Sequence, residues 1–143
     1  MSISNWIDNK LRSSYNSGKR GAGDMKRLIK AINYGVGYFA VLFLLASIYM
    51  GAFKLSGDGF RISLLLTSII ILTILSFQYE PKSHFDGLFV GTVWLVTEVV
   101  LEYLILVVLY NKGHTNYYTW SVMINYMLIV FIPALIGSRS STS

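Results

Sequence analysis

Four stretches of this 143-residue chain run for eighteen residues or more with almost no charge, and they decide what it can fold into. They are residues 31–53, 62–79, 87–110 and 115–138, and only Glu98 and Glu102 interrupt them. A helix needs about 20 residues to cross a hydrocarbon core of about 30 Å. Three stretches meet that length, and the second is marginal unless Arg61 and Glu80 reach back to the headgroups. Composition agrees: 54% of residues are hydrophobic and 13% charged, where a soluble domain carries about 25% charged residues. The expected fold is all-α, a bundle of four transmembrane helices in up-down-up-down order. Residues 31–138 form the membrane domain, residues 1–30 precede it as a basic amphipathic segment, and residues 139–143 are a short tail.

The connections are short and carry turn chemistry. Gly51, Ser56, Gly57, Asp58 and Gly59 punctuate the first. Pro81 stops the second helix, Asp86 is predicted to cap the third, and Gly113 to close it. Short loops make successive helices antiparallel neighbours. With the N-terminus inside, nine Lys and Arg residues fall on the inner side and three (Lys54, Arg61, Lys112) on the outer. The positive-inside rule then places both termini in the cytoplasm. Tyr110, Tyr117, Tyr118 and Trp120 suit an aromatic belt at the opposite surface.

The first thirty residues hold most of the net charge of +5. No compact apolar core with a small-residue cleavage site precedes the first span, so a signal peptide is not expected. Ile3, Trp6, Ile7 and Leu11 fall at helical spacing with Asp8, Lys10 and Arg12 between them, the pattern of a helix lying in the bilayer interface. Residues 13–23, rich in Ser and Gly, read as a linker, after which Asp24 would cap a second basic helix. Trp6, Lys10, Arg12, Lys19, Arg20, Lys26, Arg27 and Lys30 are the candidate contacts with anionic lipid headgroups. The plainer reading of the same residues is a topogenic tail.

A carboxylate within a span costs roughly 2.5–3.5 kcal/mol or more and normally has a reason. Glu98 and Glu102 project from one helical face, about 6 Å apart along the axis. Two carboxylates this close in low dielectric cannot both stay ionised cheaply, so at least one is expected to carry a proton unless a cation sits between them. No Lys, Arg or His lies deep in any span to balance them. Neutral polar residues at matching depth are the alternative partners: Asn125 and Tyr126 in the fourth span, Ser121 near Glu102, and Trp94 one turn from Glu98.

The pair can serve a proton- or cation-coupled path, tie helices together, or offer a countercharge to a partner protein. The small amount of interior polar surface favours the two assembly roles over transport. Catalytic, metal and cofactor sites are not expected. There is no cysteine for thiolate chemistry, and His84 and His114 belong to opposite membrane sides. The Ser and Thr residues of the second span suit close helix packing, and Pro133 should bend the fourth. Nothing in the chain reads as a nucleic-acid interface.

Gly91-Thr-Val-Trp94 followed by Leu101-Glu102, with Tyr126 and Pro133 further on, resembles a pattern seen in small uncharacterised prokaryotic four-span membrane proteins. The resemblance covers the second half of the chain. It implies four helices and an important acidic position at Glu102, brings no activity, and does not extend to Glu98. Together these readings give a non-enzymatic membrane subunit that associates with other subunits or with itself in the lipid bilayer. The alternative is a small proton- or cation-coupled transporter or channel using Glu98 and Glu102.

Overall fold

The computed structural model describes residues 3–109 and 119–140, the side chains of 14–20, 106, 107 and 109 excepted. The described residues are helical apart from short connections, with no strand among them. Four helices are long and apolar enough to cross a membrane: Gly21–Gly51, Gly57–Tyr79, His84–Ile105 and Trp120–Ser140. The chain divides into two units, Met1–Lys30 and Ala31–Ser143.

In the first unit the backbone is helical from Ile3 and belongs to α1 (Ile3–Gly51). The linker predicted over 13–23 is therefore helical, and Asp24 lies inside a helix instead of capping one. No proline interrupts the segment, and each glycine costs only about 1 kcal/mol relative to alanine among good helix formers such as Lys, Arg, Met and Leu. Ile3, Trp6, Ile7 and Leu11 are all exposed. The Lys10 ammonium sits 4.5 Å from the centre of the Trp6 ring, a cation–π contact. Arg12, Lys26, Arg27 and Lys30 are exposed as well, while the side chains of Lys19 and Arg20 lie outside the described residues.

The second unit contains the rest of α1, then α2 (Gly57–Tyr79), α3 (His84–Glu102) and α4 (Trp120–Ser140). Helix α2 begins five residues before the uncharged stretch and is 23 residues long, which removes its marginal length. The added turn is held by an Arg61–Asp58 ion pair of 3.1 Å. Its other end closes where Glu80 takes a left-handed conformation, φ 58°, and donates its backbone N–H to the Ser76 carbonyl, just before Pro81. The cap of α3 is Ser83, not Asp86. The Ser83 hydroxyl accepts from the Asp86 N–H at 3.2 Å, and the Asp86 carboxylate reaches back to the Lys82 N–H at 2.8 Å. This differs from a capping box only in that the N3 carboxylate takes the N–H of the residue before the cap and not that of the cap itself. Beyond Glu102 the chain continues as a π-helix, Tyr103–Leu109. Tyr110, Gly113, His114, Tyr117 and Tyr118 lie outside the described residues.

Helices α3 and α4 pack antiparallel with their backbones in near contact. A Cβ on Gly87 would stand 2.2 Å from the Pro133 carbonyl oxygen, and one on Gly91 would stand 2.8 Å from that of Ile129. Gly87-x-x-x-Gly91 is thus a small-residue stripe of the kind that lets membrane helices approach without any hydrophobic drive between them. Pro133 stands within α4 and has no N–H to give the Ile129 carbonyl; Gly91 lies against that freed oxygen. At the same end a Cβ on Gly137 would lie 2.2 Å from the Ser83 carbonyl oxygen. Helix α1 joins through large side chains. Tyr34 stacks on Trp94 of α3 at 6.3 Å between ring centres and meets Tyr79 of α2 edge-on at 5.5 Å. Gly35 faces Thr97.

Candidate functional site

Four-residue spacing brings Trp94, Glu98 and Glu102 to one face of α3, and the packing of α3 on α4 turns that face inward. Trp94 and Glu98 are 0% exposed and Glu102 is 7% exposed. The antiparallel register set by Gly87 and Gly91 carries Asn125 and Tyr126 to the level of the acids. The Asn125 amide Nδ2 donates to Glu98 Oε1 at 3.1 Å, and the Tyr126 hydroxyl donates to Glu102 Oε2. Each acid therefore has its own partner on α4.

The network extends to the other two helices through residues that hydropathy did not single out. The Asn125 carbonyl oxygen accepts from the Tyr38 hydroxyl of α1 at 3.1 Å and from the Ser68 hydroxyl of α2. Tyr38 and Ser68 are themselves 2.7 Å apart. This orientation of the amide is the one that supplies a donor to the Glu98 oxygen. All four helices thus meet in one buried polar layer: Tyr38, Ser68, Glu98, Asn125. Tyrosine is abundant in this chain, so Tyr38 does not stand out, and Ser68 counts in the sequence only among the Ser and Thr residues of the second span suited to close packing. The available signal was position, since Tyr38 shares a helical face with Tyr34 four residues earlier.

Ser121 is buried as expected, but its hydroxyl pairs with Thr119 at 2.9 Å. Trp94 takes its expected place one turn from Glu98 and fills the space between Tyr34 and Tyr79. His84 lies at the end of α3 with Nδ1 3.2 Å from the Ala134 carbonyl. Three buried atoms have no hydrogen-bond partner among the described residues: Glu98 Oε2, Trp94 Nε1 and Ser76 Oγ. Buried polar atoms are overwhelmingly paired in folded chains, so each such exception calls for an explanation.

Chemically, the site offers two carboxyl groups, one carboxamide and three hydroxyls around a core otherwise filled by apolar and aromatic side chains. It can hold a proton and exchange hydrogen bonds. The chain matches no family model, no curated protein and no solved structure.

Proposed function

We propose that the protein is a non-enzymatic subunit of a membrane assembly in which Glu98 and Glu102 act as internal polar ties. The observation that carries this reading is that each buried acid accepts a hydrogen bond from α4, Glu98 from Asn125 and Glu102 from Tyr126. Acids bound in this way hold the bundle to one helix rotation. They are not turned outward as countercharges for a partner, so the third role considered from sequence loses support. Trp94, Tyr38, Leu72, Val90 and Ile129 are fully buried, which favours a packed core over a solute path. Partners, whether other subunits or further copies of this chain, then meet its outer faces. There Leu44, Leu66, Ile70, Met127, Phe131 and Leu135 are exposed in a single chain. The resemblance in the third span likewise makes Glu102 the position of weight.

The test compares two variants. Glu102→Gln keeps an acceptor for Tyr126 and should leave native-gel mobility and co-purifying partners unchanged. Glu102→Leu removes the acceptor, strands the phenol, and should weaken assembly several-fold. Equal assembly in both variants would refute the reading. A proton- or cation-coupled path is the second reading, and one observation favours it: the unpartnered Glu98 Oε2.

A further inference from the structure

The polar atoms that the ties leave over fall in order of depth. Glu98, Trp94 and Ser76 are each 0% exposed and each carries one unpartnered atom. Glu98 and Ser68 meet through Asn125 at one level of the bundle. Trp94 lies one turn from that level along α3, and Ser76 two turns along α2, about 6 and about 12 Å by helical rise. Helices α2 and α3 run in opposite directions. Both displacements therefore point to the end where Tyr79 closes α2 and His84 opens α3.

One water between two polar atoms spans about 5.6 Å, twice a usual O–H···O separation of about 2.8 Å. Along the bundle axis the levels are about that far apart, and at this end the Tyr79 ring of α2 meets Trp94 of α3 edge-on at 6.2 Å between ring centres. Folded proteins hold roughly one buried water per 27 residues, so two here is an ordinary complement. Leu72, between Ser68 and Ser76 on α2, is buried and has no polar side-chain atom, whereas on the α3 side Trp94 offers an unpartnered N–H. The indole N–H only donates. A water beside it accepts that bond and can turn its own hydrogens toward Glu98 Oε2 and onward. We propose that Glu98 is a proton-binding site reached by water from the α2–α3 end of the bundle, past Ser76 and Trp94.

The titratable groups around Glu98 are Tyr38 on α1, Glu102 on its own helix and Tyr126 on α4, while α2 contributes the neutral Ser68. Among the described residues no lysine, arginine or histidine stands at this depth to balance two carboxylates. A proton needs a single oxygen, whereas a hard metal cation takes about six or more. The Asn125 oxygen is already occupied by two donors, and the indole N–H repels a cation. The inference deepens the second reading above and rests on it, naming the ligand and the entry side at the same Glu98 oxygen, and it is tested without measuring any flux.

Infrared difference spectroscopy on the full chain in lipid nanodiscs reads the carboxylic-acid C=O band directly. A band is expected that is lost as pH rises, is absent from Glu98→Gln, and is unmoved when Na⁺ replaces K⁺ or choline at fixed pH. Ser76→Val and Ser76→Thr are close in volume, so their packing cost is shared and only the hydroxyl differs. Hydrogen–deuterium exchange of the band should be native-like in the Thr variant and about tenfold slower in the Val variant, the scale of one lost hydrogen bond. A full-strength band in Glu98→Gln, a band that moves with metal ions at fixed pH, or equal exchange in the two Ser76 variants would each overturn the proposal.

Discussion

Asn125 connects its own helix to the other three, accepting from Tyr38 and Ser68 and donating to Glu98. Its loss and the loss of one of its donors should differ in size. Tyr38→Phe removes one donor while Ser68 remains, and interhelical hydrogen bonds in membranes average about 0.6 kcal/mol. Asn125→Leu leaves Glu98 without its donor and one of the two hydroxyls without an acceptor, since Tyr38 and Ser68, 2.7 Å apart, can still pair with each other. That should cost about 1–3 kcal/mol or more, because stranding a buried group costs its full desolvation. Reversible unfolding in bicelles checks the order, and equal losses would mean that Asn125 is not the hub. The acids, Asn125 and Tyr126 were legible in the sequence because each is a polar intruder in an apolar run at matching depth. Tyr38 and Ser68 were not, since both residue types are compatible with lipid-facing or packing positions. Only helix rotation turns them inward.

At the scale of elements, the close approach of α3 and its N-cap to α4 rests on three glycines, Gly87, Gly91 and Gly137, and the sequence reading missed it. Gly87→Ala would place a methyl 2.2 Å from the Pro133 carbonyl oxygen, a backbone atom that cannot swing away. Separating α3 from α4 to admit it should cost about 1–3 kcal/mol. Gly37→Ala meets nothing within 4 Å in the middle of α1, and it should stabilise by roughly 0.5–1 kcal/mol through helix propensity alone. Thermal unfolding in detergent distinguishes the two, and a stabilising Gly87→Ala would contradict the described α3–α4 contact. Helix ends follow the same division between local and tertiary causes. Pro81 stopped α2 as its chemistry requires, but the Ser83 cap and the added turn of α2 depended on which polar side chains reached which N–H. The π-helix after Glu102 has no signature in residue type.

Across the whole molecule, the four helices and their short connections put residue 54 and residue 82 at opposite ends of the bundle. The chain has no cysteine, so single cysteines report topology without background. By the positive-inside count, Lys54→Cys should react with an impermeant maleimide in intact cells, whereas Lys82→Cys and Ser140→Cys should react only after permeabilisation. Labelling of positions 54 and 82 from the same side would break the four-span arrangement. The sequence by itself determined that there are four apolar helices and that two acids lie within one of them, because the cost of moving a side chain into hydrocarbon belongs to that side chain. Which acid oxygen is held and which is left open was decided by tertiary structure alone. That outcome depends on the rotation and register of α3 against α4, fixed by backbone contact at Gly87 and Gly91, and hydropathy carries no record of either.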